Sequence, residues 1–305
     1  MIGLDGGMAM AKRKQKQQRW ISETLHQESG FRTSYAVKRV LHEERTQHQD
    51  LLLFENPLFG KMLMLDGATQ VTAKDEFVYH EMMSHVPLFA HGRVRDVLII
   101  GGGDCGIAEE VLKHPGVKRL TQVEIDASVV EFAKAHFPEF TRPVFKDHRF
   151  ELIIDDGMAF VAKGDRQFDV IIVDSTDPVG PGAILFTQRF YAACRRSLRP
   201  GGVIVTQNGV PALQATELAG SMRKLGKLFV DATCYVAAIP TYIGGFMAMG
   251  FATDNRSLRR QSATAVAARY KRAGSFDTRY WTPELHAAAF ALPRFISDIV
   301  TKAQR

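Results

Sequence analysis

The stretch that decides the fold is 97-VLIIGGGDCGIAEEVLKH-114. Four apolar residues run into three glycines and an acid, and an amphipathic run follows. The grammar is strand, tight loop, helix. It repeats downstream: RLTQVEIDASVVEFAKAHF, then FELIIDDGMAFVAKG, then FDVIIVDSTDP with its returning helix TQRFYAACRRSLRPGG, then GVIVTQN and a helix over about 212–228. Near-continuous apolar strands that alternate with helices predict a parallel sheet covered on both faces. ATCYVAAIP and FMAMGFATDN close the series as two β runs, which predicts a final antiparallel hairpin.

Upstream the pattern differs. Residues 20–90 hold short apolar or alternating runs cut by the turn signals ENP, LFG and LDG, and then DEFVYHEMMSHVPLF. They read as a small β-rich domain that ends in a helix capped by Asp75. The expected architecture is therefore α/β: a doubly wound domain over 91–305, preceded by this small domain and by a basic, disordered tail over 1–19.

Composition narrows the class. The 305 residues are 46% hydrophobic and 24% charged, with three cysteines and a net charge of +6. No apolar run approaches the roughly 20 residues of a membrane span. The first residues lack the apolar core of a secretory signal, and the cysteines form no CxxC, so a cytoplasmic protein with free thiols is expected. The positive charge sits at the ends. Residues 1–20 carry five Lys/Arg against one acid, and 255–305 carry ten against three. The middle holds 24 basic and 29 acidic residues. An acidic body suits a cationic ligand better than a polyanion, so neither specific nucleic acid nor membrane is expected as a partner. The histidines show no HxxxH or HExxH spacing, and no metal site is expected.

In doubly wound sheets, ligands bind beyond the carboxyl ends of the strands. Here those ends carry Gly101-Gly102-Gly103-Asp104, then Glu124 and Asp126, then Asp155-Asp156-Gly157, then Asp174 and Asp177, then Gln207 and Asn208. Asp104 stands where it would repel a pyrophosphate at the helix N-terminus. Glu124, about 20 residues on, suits a ribose. Together these point to a nucleoside without phosphates, such as a sulfonium nucleoside. Asp155 and Asp156 are equally good helix N-caps. The stretch 170-VIIVDSTDPVGPG-182 places two acids on a rigid Pro-Gly turn, with Tyr79, His80 and Glu81 on the preceding helix. Carboxylates gathered in one cleft raise each other's pKa and ionise readily only beside cations. The expected second ligand is an amine with more than one ammonium group.

GGGD, VEID, DDG, DSTDPVGPG, LDG..Q.T..DEF.YHEMM and IPTYIGG together resemble the polyamine aminopropyltransferases, specifically spermidine synthases, over roughly residues 20–295. The resemblance implies transfer of an aminopropyl group from decarboxylated S-adenosylmethionine, a co-substrate, to putrescine, without a cofactor or metal. It implies Asp174 as the catalytic acid/base, assisted by Tyr79, with Asp177 and Tyr242 orienting the amine. It assigns Asp104 to the donor's ammonium and His80 and Gln70 to the polyamine channel. Gln49 and Glu124 fall on the ribose side, Asp156 and Gly157 on the adenine, and Pro181 near the base. The resemblance also implies a methyltransferase-like Rossmann fold over 91–305 behind the small N-terminal β-rich domain, and homodimers or homotetramers. Three positions depart from the usual pattern: Cys105 for Gly, Glu109 for Arg, and Ile243 for a second aromatic. Alternatives are another polyamine product or a diamine N-methyltransferase. A non-catalytic polyamine- or RNA-binding protein is disfavoured by the joint presence of Tyr79, Asp174 and Asp177. Trp20 and Trp281 are read as packing residues and Met62, Met64, Met82 and Met83 as core.

Overall fold

A computed structural model describes residues 18–46, 49–176, 178, 180–243 and 245–305, without the side chains at 180 and 181. Residues 1–17 of the expected tail, and Asp177, lie outside the described residues.

The chain begins with a two-stranded ribbon, β1 (Arg19–Ser22) and β2 (Ser34–Val37). A four-stranded antiparallel meander follows: β3 (Arg39–Arg45), β4 (Asp50–Asn56), β5 (Gly60–Leu65) and β6 (Ala68–Thr72). Helix α1 (Glu76–His91) leads out of it. Every residue from Val78 to Ala90 is buried, because the helix sits inside the large apolar core of the second domain. Asp75 does not cap it. Its carboxylate accepts from the Thr72 hydroxyl at 2.6 Å and from Thr241 Oγ1 and N at 2.8 and 2.9 Å. A loop more than 160 residues away in sequence outcompetes the helix for the acid.

The second domain alternates as its sequence predicts, through β7 (Asp96–Gly101), α2 (Gly106–Leu112), β8 (Arg119–Glu124), α3 (Ala127–His136), α4 (Pro138–Lys146), β9 (Phe150–Ile154), α5 (Gly157–Lys163) and β10 (Phe168–Asp174). It continues through α6 (Gln188–Ser197), β11 (Leu198–Gln207), α7 (Ala215–Leu228), β12 (Asp231–Ala238) and β13 (Phe246–Thr253), then α8 (Ala263–Arg272), α9 (Pro283–Ala288) and α10 (Arg294–Ala303). The seven-stranded sheet runs β12-β13-β11-β10-β7-β8-β9, and only β13 runs antiparallel, to β12 on one side and β11 on the other. Val97 and Ile99 face one apolar core while Leu98 and Ile100 face the other, so both faces are covered. Trp281 is fully buried, but Trp20 is 59% exposed and packs no core. The four methionines are buried. Helices α4 and α8 to α10 were not legible as helices.

The strand order reverses between β7 and β10, which pair in register with Asp174 opposite Gly101. This switch point fixes where a ligand can sit.

Candidate active site

Beyond the switch point lies a cleft of about 440 Å³. Its floor is the glycine loop, and residue type there is dictated by proximity to β10. A Cβ on Gly101, at φ +83°, would stand 2.0 Å from the Asp174 carbonyl oxygen. Gln122 of β8 ties the loop down, donating from Nε2 to the carbonyls of Gly101 at 3.0 Å and Gly102 at 2.6 Å. Cys105 follows with φ +67°, where a β-carbon costs roughly 1 kcal/mol. Its thiol is buried, and burial pushes its pKa well up, so it is a passive loop residue.

Ten of the twelve expected site residues line this one cleft. Asp177 lies outside the described residues, as does the Pro181 side chain. Asp174 ends β10, and its Oδ1 accepts from the Tyr79 hydroxyl of α1 at 2.7 Å. Burial, and then the charge of Asp104, raise its pKa to about 6, against the lowering effect of Tyr79 and His80. Asp104 accepts from Gly106 N at 2.9 Å through Oδ1 and faces His80 through Oδ2. Burial would raise its pKa, but His80 and that amide outweigh it and hold it low.

On the nucleoside side, Glu124 accepts from Asp126 N at 3.0 Å, and burial raises its pKa to about 7. Gln49 reaches Asp126, whose side chain caps α3. Asp156 caps α5, bonding Met158 N and Ala159 N, both through Oδ1. The capping role and a place on the cleft wall therefore coexist. Asp155 pairs instead with Lys163 at 3.0 Å and is not on the wall.

On the other side, the Tyr242 hydroxyl donates to the Gln70 carbonyl, and the two tyrosine rings of Tyr79 and Tyr242 meet edge on at 5.9 Å. Gln70 turns its amide back to Ala68 O at 3.3 Å. Sequence reading missed Glu23, a nearly buried carboxylate on the wall beside Thr69. Tyr242, Asp174 and Glu23 line the same cleft, and the charges of both acids act on the Tyr242 hydroxyl. No short motif marks Glu23; only the ribbon's docking brings it in. Glu76 was also missed, although its i, i+4 spacing to His80 is a usable signal.

One end of the cleft thus offers carboxylates set for hydroxyls and an amide-rich loop, and the other a line of carboxylates and tyrosine hydroxyls. Residues 76–262 match the family model described as "Spermine/spermidine synthase domain", and residues 19–73 match "Spermidine synthase tetramerisation domain". A polyamine aminopropyltransferase of Escherichia fergusonii is 50% identical over 289 residues, 95% of this chain and 98% of that protein. One from Salmonella newport is 51% identical over 92% of this chain and 96% of its own. Among solved structures, a spermidine synthase in complex with the transition-state analogue AdoDATO superposes with a TM-score of 0.87 at 34% identity, over 95% of this chain and 99% of that one. The spermidine synthase of Thermotoga maritima gives 0.84 at 32% identity, over 95% and 98%. The chain belongs to the spermine/spermidine synthase family and is an enzyme of the polyamine aminopropyltransferase type.

Proposed function

We propose that the enzyme transfers the aminopropyl group of decarboxylated S-adenosylmethionine to putrescine, giving spermidine and 5′-methylthioadenosine. The observation that carries this reading is the half-buried Asp174, bonded to Tyr79 and sharing one cleft with Asp104 and Glu23. Both substrates are dications at neutral pH, and the cleft is lined by acids rather than by Lys or Arg among its described residues.

An ammonium has no lone pair, so one amine of putrescine must lose a proton before it attacks. Asp174 takes that proton; a base whose pKa lies near 6 is ionised at pH 7 yet stronger than an exposed aspartate. The nitrogen lone pair then forms the new C–N bond. The C–S bond breaks with its electrons moving to sulfur, which leaves as a neutral thioether. The proton passes from Asp174 to solvent. A sulfonium is a good leaving group, so the step needs neither metal nor covalent intermediate. Asp104 holds the donor's ammonium, and Tyr79 and Tyr242 orient the attacking amine, with Asp177 as a further partner. Glu23, on the same cleft wall, takes the distal ammonium in the channel walled by Gln70 and His80. Glu124 and Gln49 receive the ribose, and Asp156, Gly157 and Pro181 the adenine. Alignment of amine and carbon in a fixed cleft supplies most of the rate, up to about 7–11 kcal/mol at the ideal limit.

The exposed Trp20, Phe31 and Leu58 lie in the segment that matches the tetramerisation model, and we assign subunit packing, as a homodimer or homotetramer, to that segment. The enzyme is assigned to the cytoplasm.

Purified protein given decarboxylated donor with putrescine, cadaverine or spermidine tests the reaction and the acceptor. Methylthioadenosine release fastest with putrescine is the expected result. Methyl transfer from S-adenosylmethionine, or a preference for spermidine, overturns the reading.

A further inference from the structure

Carboxylates crowded into a closed cleft repel one another, and such a cleft tends to take up protons until a cation enters. This one has a cation already. His80 of α1 lies between two acids: Nδ1 is 2.9 Å from Glu76 Oε2, and Nε2 is 3.4 Å from Asp104 Oδ2. A neutral imidazole has one N–H and one lone pair. In either tautomer a lone pair would then face a carboxylate oxygen. Only the imidazolium presents a proton to both.

The ring cannot turn away. Its side chain is 3% exposed, and Phe140 and Tyr79 meet its edges at centroid distances of 5.6 and 6.0 Å. On the third side, a Cβ at Gly106 would stand 2.1 Å from the ring's Cε1, so only glycine leaves room for it. Charges on two neighbouring elements also act on the ring. Asp174 comes from β10, and Glu110 from α2 with Lys113 on its Oε1 at 2.7 Å. Behind Glu76, Arg279 approaches within 3.4 Å and lies over the Phe77 ring at 3.7 Å. Burial by itself would lower the pKa of His80, but Asp104 and Glu76 outweigh it and hold it well above the ordinary value. Among the described residues of the cleft wall, His26 and His80 are the basic side chains.

We propose that His80, fixed by Glu76, is a built-in counter-ion whose imidazolium faces Asp104 and lets Asp104 and Asp174 stand ionised together in the empty cleft. Glu76 does not line the cleft and acts through the ring, as a positioning residue. The assignment rests on the reading of Asp104 as the ammonium site and Asp174 as the base. Its consequence is that the base is ready before substrate arrives, and putrescine need not displace a proton shared between the two acids.

Two measurements test it. The first is ¹⁵N NMR of the ring nitrogens of His80 in the free wild-type protein. Both nitrogens protonated at pH 7.5 is the expected result; a neutral tautomer at that pH overturns the proposal. This readout needs no turnover, so it decides the counter-ion even if the aminopropyl-transfer reading fails. The second is the pH profile of kcat/KM for His80→Gln and Glu76→Gln. Without the cation, the Asp104–Asp174 pair takes up its first proton at higher pH, and the acidic limb of His80→Gln moves up by roughly one unit. Glu76→Gln keeps the cation, so its limb stays, while the His80 resonance titrates roughly one unit lower. A His80→Gln profile lowered equally at every pH, with its limb unmoved, marks a merely structural histidine and overturns the proposal.

Discussion

Replacing Tyr79 with Phe removes one oxygen and, with it, the 2.7 Å hydrogen bond to Asp174 Oδ1. Tyr79 is buried and Asp174 half-buried, and the bond is to a charged acceptor. Such a bond contributes about 1.5–3 kcal/mol. At about 1.4 kcal/mol per pKa unit, its loss raises the Asp174 pKa from about 6 by roughly one to two units. The ionised share of the base at pH 7 then falls from about nine-tenths to between one-tenth and one-half. Tyr79→Phe should therefore lose about two- to ninefold in kcat/KM at pH 7 through this route and recover it by pH 9. The assay is methylthioadenosine release over pH 5.5–9.5, with wild-type and variant in the same buffers. The sign is fixed: the rate needs the carboxylate, so activity falls as pH drops through the pKa, and the variant's fall begins at higher pH. A profile with the wild-type midpoint, however depressed, would refute the assignment of Tyr79 as the donor that tunes this base.

The remaining predictions concern the donor side and the loop. Glu124 is buried with its pKa raised to about 7, so donor affinity should weaken about tenfold per pH unit below 7, as the ribose acceptor becomes protonated. Titration calorimetry with methylthioadenosine checks this, and Glu124→Gln should bind weakly but without that pH dependence. Gly106→Ala should cost tenfold or more in kcat/KM, because the added carbon would meet the His80 ring at 2.1 Å, although alanine is the better helix former. Wild-type activity in a well-folded Gly106→Ala protein would show that the ring is free to move.

Much of this was legible before any coordinates. Apolar strands that each end in an acid or a glycine mark a doubly wound sheet and its ligand edge. Asp104, Glu124, Asp156 and Asp174 were found by strand-end position alone. What escaped depended on approach between distant segments. Asp75 is an ordinary cap in sequence, but Thr241 comes from the far end of the chain to take its carboxylate. The sequence suggested that the acids wait for cations from solution, whereas His80 supplies one from within. That follows from the distance between α1 and the glycine loop, which no spacing rule encodes. Glu23 enters the cleft only because the N-terminal ribbon docks there. Trp20 looked like core by residue type, yet it lies on a two-stranded ribbon with one face uncovered. Helices α8 to α10 follow the last strand, so they lack the strand–helix alternation that marked the helices before them.

The most direct measurement of the central claim is single-turnover transfer by Asp174→Asn, with donor binding followed in the same preparation. Asparagine keeps the shape and can still accept from Tyr79, but it cannot take a proton. The account predicts a chemical step slowed about 10²–10⁴-fold, with methylthioadenosine affinity held within about threefold of wild type. A chemical step within about threefold of wild type would contradict it, because the amine would then be losing its proton elsewhere.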